Sequence, residues 1–233
     1  MLYIVATPVG NLEDISARAI RVLGEADGIA CEDTRRTRGL LSHLKIPRPS
    51  AFMSYRQGVE SKVGRQLLGL LEKGRNIAVC SDGGYPGISD PGYRVIAAAL
   101  KAGIDVEVIP GPSAVPIALL QSGLPTSSYT FKGYPPRKPG GRKRFFENES
   151  DMPHTLVLFE SPYRVSASLE AALSMLGDRK AAVCIELTKK FERVSRGYLS
   201  DLVGEFEGVK VKGEVTIVIA GNNPKFRRKI DSK

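Results

Sequence analysis

Apolar residues in the first half of the chain fall into short runs that alternate with stretches of helical spacing. Leu2–Ala6 is a β-rich run followed by a polar turn, Thr7–Asn11. Asp14 is placed to cap a helix whose apolar positions are Ile15, Ala19, Val22 and Leu23. Gly28–Cys31 and Ala51–Ser54 read as strands. Between Val59 and Lys73 the residues Val59, Val63, Leu67, Leu70 and Leu71 share one side of an amphipathic helix, with Gly74 just past its end. Asn76–Cys80 then reads as a buried strand, Tyr93–Lys101 as a helix and Val106–Ile109 as a strand. This β-α alternation predicts an open, largely parallel sheet.

The pattern changes after the Pro-Gly-Pro turn at Pro110–Pro112. Tyr129–Gly133 runs into a stretch rich in Pro, Gly and basic residues. Thr155–Phe159 then reads as a strand, Val165–Leu176 as a helix, and Ala181–Leu187, a segment around Glu192–Gly197, and Val215–Ala220 as strands of a mixed sheet. The fold class is α/β in two domains, residues 1–110 and 111–222, with a basic tail over 223–233. There is no internal repeat.

Composition narrows the function class. With 42% hydrophobic residues among 233, the chain can bury a full core. Its three cysteines, Cys31, Cys80 and Cys184, are widely spaced and sit in apolar runs, so they read as small buried hydrophobes of a reducing compartment. Two histidines without metal-ligand spacing argue against a zinc site, and no metal is expected. The N-terminal run stops at Thr7-Pro8 and no segment has the length of a membrane span, which points to a cytoplasmic protein with no membrane partner. The net charge of +9 is concentrated. Six basic residues and no acidic one lie between Lys132 and Arg144, and the tail from Lys225 to Lys233 carries five more against Asp231. Such clustering favours contact with a polyanion.

Three loops directly follow strands, where open α/β sheets bind ligands. They are Thr7–Asn11, the twelve-residue Ser81–Gly92 (SDGGYPGISDPG), and Pro110–Ala114 (PGPSA). None is a dinucleotide fingerprint or a phosphate-binding P-loop. The long loop, with four Gly and two Pro, is expected to follow a compact path with backbone groups turned toward a ligand such as an adenosine with an amino-acid end.

These loops, together with Glu32-Asp33-Thr34-Arg35, Phe159-Glu160-Ser161-Pro162 and Glu186-Leu187-Thr188-Lys189, resemble the tetrapyrrole-methylase superfamily from Leu2 to about Gly221. Within it they are most similar to the bacterial 16S rRNA (cytidine-2'-O)-methyltransferases. The resemblance implies a homodimeric two-domain enzyme with S-adenosylmethionine in a cleft between domains, acting on 16S rRNA of the small ribosomal subunit. It implies a cofactor site made of Pro8, Asp82, Gly83, Gly84, Tyr85, Ile88, Ser113, Ala114, Phe159 and Leu187. Three positions depart from the family's usual pattern: Tyr85 stands where SDAGTP has a threonine, Tyr163 replaces a common histidine, and Ile185 a common arginine.

Methyl transfer to a ribose hydroxyl needs alignment, together with a proton acceptor or a charge that stabilises the developing alkoxide. Glu32, Asp33 and Arg35 are the first candidates, because their motif follows a strand and gathers charge. Lys189 is a candidate oxyanion stabiliser, and Glu160 or Glu186 a further proton acceptor. Glu32 and Asp33 equally suit a helix N-terminus, and Lys189 a solvent-facing strand end. Arg137, Lys138, Arg142, Lys143 and Arg144, flanked by Tyr134, Phe145 and Phe146, have the composition of an RNA-binding segment, although the phenylalanine pair also suits the buried face of a helix. Two other readings remain: a C-methyltransferase of the corrin or sirohaem pathways, and a non-catalytic RNA-binding protein on a methylase fold.

Overall fold

Alternate residues of the first four-residue strands point to opposite faces, and each face is apolar, so these strands need helices on both sides. The structure, a computed structural model, describes residues 1–229 and divides the chain into one unit, Met1–Ser113, and a second beginning at Ala114. In the first unit β1 (Leu2–Val5), α1 (Ala17–Glu25), β2 (Gly28–Cys31), α2 (Thr34–His43), β3 (Ala51–Ser54), α3 (Glu60–Glu72), β4 (Ile77–Cys80), α4 (Tyr93–Lys101) and β5 (Val106–Ile109) follow in turn. The sheet order is β3-β2-β4-β1-β5, and every pairing is parallel, so all five carboxyl ends share one edge. Val5, Ile29, Cys31, Ala78 and Cys80 pack under α1 and α2. Leu2, Ile4, Ala30, Ile77 and Val79 pack under α3 and α4.

Helix α1 starts later than the sequence pattern implies. A 3-10 turn, Leu12–Asp14, capped by the Asn11 side chain, takes up the expected first turn. Ser16 rather than Asp14 then caps α1, accepting from the Ala19 N–H.

In the second unit α5 (Ala114–Ser122), β6 (Tyr129–Phe131), α6 (Pro139–Glu147), β7 (Thr155–Glu160), α7 (Val165–Leu176), β8 (Lys180–Ile185), β9 (Arg193–Tyr198), α8 (Leu199–Phe206) and β10 (Val215–Ile219) form a mixed sheet of order β6-β7-β10-β8-β9. Only β6 and β7 run parallel. Phe146, Val165, Leu169, Leu202 and Phe206 of α6, α7 and α8 cover one face. Val115, Ala118 and Leu119 of α5 cover Val157, Cys184 and Val218 on the other. The three cysteines are buried free thiols. Among the described residues no helix is long and apolar enough to cross a membrane.

The path of the long loop after β4 depends on Gly92. A Cβ there would stand 2.5 Å from the Gly87 nitrogen and 2.8 Å from the Pro86 carbonyl carbon, both backbone atoms that cannot swing aside. Gly92→Ala is therefore expected to open the loop and destabilise the protein by about 1–3 kcal/mol, the usual range for overpacking. Thermal unfolding would check it, and an unchanged midpoint would show that the loop can close another way.

Candidate functional site

The parallel sheet delivers Thr7–Asn11, the Glu32–Arg35 motif, Ser81–Gly92 and Pro110–Ser113 to the same edge of the first unit. The loops after β1 and β4, neighbouring strands, are stitched by an antiparallel bridge. The Thr7 N–H donates to the Gly84 carbonyl at 3.0 Å, and the Gly84 N–H returns to the Thr7 carbonyl at 2.9 Å. The Thr7 hydroxyl donates to the Ser81 carbonyl at 3.0 Å. Pro8 is buried, and a Cβ on Gly83 would lie 3.2 Å from its carbonyl oxygen. Tyr85 ties in the third loop: its hydroxyl accepts from the Gly111 N–H at 3.0 Å and donates to the Gly111 carbonyl at 3.3 Å. A threonine, the family's usual residue there, is too short for that span.

The expectation that the long loop turns its backbone toward a ligand needs correcting at Gly84, whose N–H and carbonyl hold the loop to its neighbour. What Gly84 does leave is room. At φ +78 its missing side chain faces a space where the Pro112 carbonyl oxygen is the nearest atom, 4.0 Å from where a Cβ would be. Ile88, on the same loop, exposes 46% of its surface. An open gap beside carbonyl groups and an unburied apolar side chain suit an adenosine with an amino-acid end. Ser113 closes the first unit.

The Glu32–Arg35 motif is tied to this loop through Asp82. One Asp82 carboxylate oxygen accepts the Asp33 N–H at 3.1 Å, and the other lies 3.6 Å from the Arg36 guanidinium. Asp33 is the N-cap of α2, accepting the Arg35 N–H at 2.8 Å, and its two oxygens also take the Arg35 guanidinium at 3.2 and 2.9 Å. That arginine holds the Asp33 carboxyl down at about 2. Glu32 behaves oppositely: burial, reinforced by the Asp82 charge, raises its carboxyl above the ordinary value. Glu32, Asp33, Arg35 and Asp82 line a cavity of about 670 Å³ with Arg56 and Lys62. Asp82 also lines a smaller cavity of about 260 Å³, beside Pro8 and α2. Neither Arg56 nor Lys62 carries a local sequence signal, since they reach the cavity from the segment before α3 and from α3 itself.

In the second unit, Ala114 opens α5. Phe159, half-buried near the end of β7, stacks edge-on against Phe131 with ring centroids 4.8 Å apart. Leu187 is buried in a turn where Glu186 and Thr188 both take positive φ, 52° and 64°. Side chains avoid this region, a β-branched one above all, so the surroundings must impose it. Lys189 Nζ supplies the clamp, donating to Glu186 at 2.8 Å and to Glu214 at 3.0 Å. Burial pulls the lysine's pKa down, but the two carboxylates outweigh it and leave it raised. Burial likewise pushes Glu186 up, yet the Lys189 ammonium and the Glu214 N–H prevail and hold it below the ordinary value. Lys189 is thus half-buried in an ion-pair cluster rather than a solvent-facing strand end. Glu214 lies too far along the chain for sequence spacing to have marked it.

Two expectations fail here. Glu160 is buried and fully engaged, taking the Ser161 N–H at 2.6 Å, the Arg164 guanidinium at 2.6 Å and the Ser168 hydroxyl, so it is no free proton acceptor. Arg142 is only 8% exposed and its Nε has no hydrogen-bond partner among the described residues, which withdraws it from the basic surface. The reason is helical period. Arg142 and Phe146 lie one turn apart on the inner face of α6, whereas Lys143 and Arg144 point out. Phe145 and Phe146 pack edge-to-face at 5.1 Å against the core. Arg137 and Lys138 are exposed, while Lys132 is paired with Glu149 at 2.8 Å. In the tail, Arg228 is bound by Asp178 and Asp201, which removes part of the expected free charge; residues 230–233 of that tail lie outside the described residues.

The chain is 44% identical over 224 residues to Ribosomal RNA small subunit methyltransferase I of Halalkalibacterium halodurans, covering 96% of this chain and 77% of that protein. It is 40% identical to the protein of the same name in Thermotoga maritima, over 94% of this chain and 98% of the relative. Among solved structures, uroporphyrin-III-C-methyltransferase from Thermus thermophilus matches with a TM-score of 0.66 at 23% identity, over 94% of this chain and 93% of the other, a likeness of fold. The model of the Tetrapyrrole (Corrin/Porphyrin) Methylases matches residues 1–203, and the chain belongs to that family.

Proposed function

We propose that this protein transfers the methyl group of S-adenosylmethionine to the ribose 2'-hydroxyl of a cytidine in 16S rRNA. It would work in the cytoplasm as a homodimer on the small ribosomal subunit. The methyl donor is S-adenosylmethionine. The observation that carries the reading is the Asp33 N–H to Asp82 hydrogen bond, which fixes the charged motif after β2 to the loop after β4. Identity of 40–44% to proteins named as ribosomal RNA methyltransferases favours RNA over a tetrapyrrole as substrate. The exposed Arg137, Lys138, Lys143 and Arg144 fit the same reading. Tyr93 and Leu100 on α4 and Val108 on the edge strand β5 are exposed apolar side chains that a second copy would cover.

S-adenosylmethionine supplies an already activated methyl on a sulfonium, so the residues have to align the hydroxyl and take its proton. The cofactor would be held by Pro8, Asp82, Gly83, Gly84, Tyr85, Ile88 and Ser113 of the first unit, with Ala114, Phe159 and Leu187 of the second. Glu32 is the proton acceptor of this proposal, because its raised carboxyl is the more basic one and lines the larger cavity. Asp33 and Arg35 hold each other and the start of α2, so they position Glu32. Lys189, two of whose three ammonium protons go to Glu186 and Glu214, keeps the Leu187 turn in place.

Replacing Gly84 or Ala114 by leucine should weaken S-adenosylmethionine binding at least tenfold in a calorimetric titration; unchanged affinity in both variants would remove the loops from the cofactor site. Glu32→Gln should lower single-turnover methylation of small subunits about a hundredfold to ten-thousandfold while sparing cofactor affinity. The ionised carboxylate is the active form, so wild-type activity should fall as pH drops through the Glu32 value, which burial and the Asp82 charge raise. A pH–rate profile that is identical in the glutamine variant would exclude Glu32 as the base. Charge reversal at Lys143 and Arg144 together should flatten the salt dependence of RNA binding by roughly one unit of log–log slope per lost phosphate contact. Arg142→Glu should instead unfold the second unit. Equal slopes in wild type and the double variant would exclude α6 from the RNA surface.

A further inference from the structure

A cavity of about 570 Å³ in the second unit opens between the segment after β6 and the short 3-10 turn Pro162–Arg164 after β7. Tyr134, Pro135, Pro136, Arg137 and Tyr163 supply most of its lining. Tyr163 is 86% exposed and Tyr134 54%, a large unburied aromatic area for one small cleft. The walls are held firmly. Arg164 donates to the Pro135 carbonyl at 3.2 Å and pairs with the buried Glu160 at 2.6 Å, linking the two segments that form the cleft. Pro135 is buried beneath it, and two consecutive prolines restrict that wall to few backbone conformations.

Charge identifies the occupant. Arg137 lines the cleft, Lys138 follows it, and Lys143 and Arg144 stand exposed on α6, with no acidic residue from 132 to 144. Glu160, next in sequence to Ser161 of the lining, is already paired with Arg164. An aromatic cleft rimmed by cations matches a nucleotide: the rings take a base face and the guanidinium takes the adjoining phosphate. The cleft is concave, so it suits a base turned out of a strand rather than one inside a helix, where the faces are covered by stacking.

We infer that the cleft bounded by Tyr134, Arg137 and Tyr163 is a stacking site for one unpaired base of the RNA substrate. The inference rests on the rRNA methyltransferase reading for its substrate and adds a specificity element to it. Tyr163 is the stacking surface.

The chain contains no tryptophan, so Tyr163→Trp places a single indole at the cleft. Its emission is expected to be quenched saturably by a short oligocytidylate and left unchanged by inorganic polyphosphate. Tyr163→Ala should weaken oligocytidylate binding roughly 5- to 100-fold with an unchanged salt slope, while Tyr163→Phe keeps wild-type affinity. Arg137→Ala should instead lower the slope by about one. S-adenosylmethionine affinity should be the same in all four variants. Equal oligocytidylate affinity in wild type and Tyr163→Ala overturns the inference, as does quenching by polyphosphate alone, which would mark a simple anion site. Wild-type methylation of small subunits is measured in parallel. Methylation with no effect of Tyr163→Ala on RNA binding sinks the stacking site alone; loss of RNA affinity in Tyr163→Ala without wild-type methylation keeps the stacking site and sinks the methyltransferase reading.

Discussion

The Asp82 carboxylate organises the functional edge of the first unit. One oxygen receives the backbone N–H of Asp33, and the other faces Arg36 on the helix that Asp33 caps. Its negative charge adds to the burial that makes Glu32 a stronger base. Two loops from neighbouring parallel strands are therefore joined by a single acceptor that also sets the electrostatics between them. Without it, the start of α2 would lose a hydrogen bond and Glu32 would lose the larger of the two charges that raise it. The parallel sheet makes this possible, because it brings every strand's carboxyl end to the same side.

Neighbouring acidic residues in this motif are thus shifted in opposite directions. Asp33 is locked as an anion by its own arginine, whereas Glu32, without a comparable partner, is kept basic by burial. A similar division runs through the Glu186–Lys189 turn. There an ammonium shared by two carboxylates sustains backbone conformations that the residue types resist. Strain of this kind persists only where surrounding contacts over-determine it, and here the determinant comes from Glu214, just before β10.

Much of this was legible along the chain. Strands β2 and β4 of the first unit announce themselves because both of their faces are buried, leaving unbroken apolar runs such as Ile77–Cys80. Of helix α2 only the start was legible, at the Glu32–Asp33 pair that suits a helix N-terminus, because only Thr37 and Leu41 of its ten residues are buried and the rest is mostly polar. Helix α5 was hidden by Pro116, which is tolerated in a first turn where no helical N–H bond is lost. The candidate loops were readable from their glycines and prolines, but the roles inside them were not. That Gly84 holds a neighbouring loop, that Tyr85 reaches Gly111, and that Arg142 turns inward are all consequences of partners distant in sequence. The same holds for the tyrosine cleft, whose two walls are brought together only by folding.

The strand order also governs how the chain emerges during synthesis. Leu2 pairs with Ile77 on one side and Val106 on the other. Strand β1 is therefore an inner strand of the sheet that is made before both of its neighbours and waits about 75 residues or more for them, on the order of 4–15 s at ordinary elongation rates. During that interval an apolar β segment has both hydrogen-bonding edges open. The nascent chain must be shielded for as long as translation takes to reach β4, and its vulnerability to aggregation is set by elongation speed rather than by the stability of the finished fold.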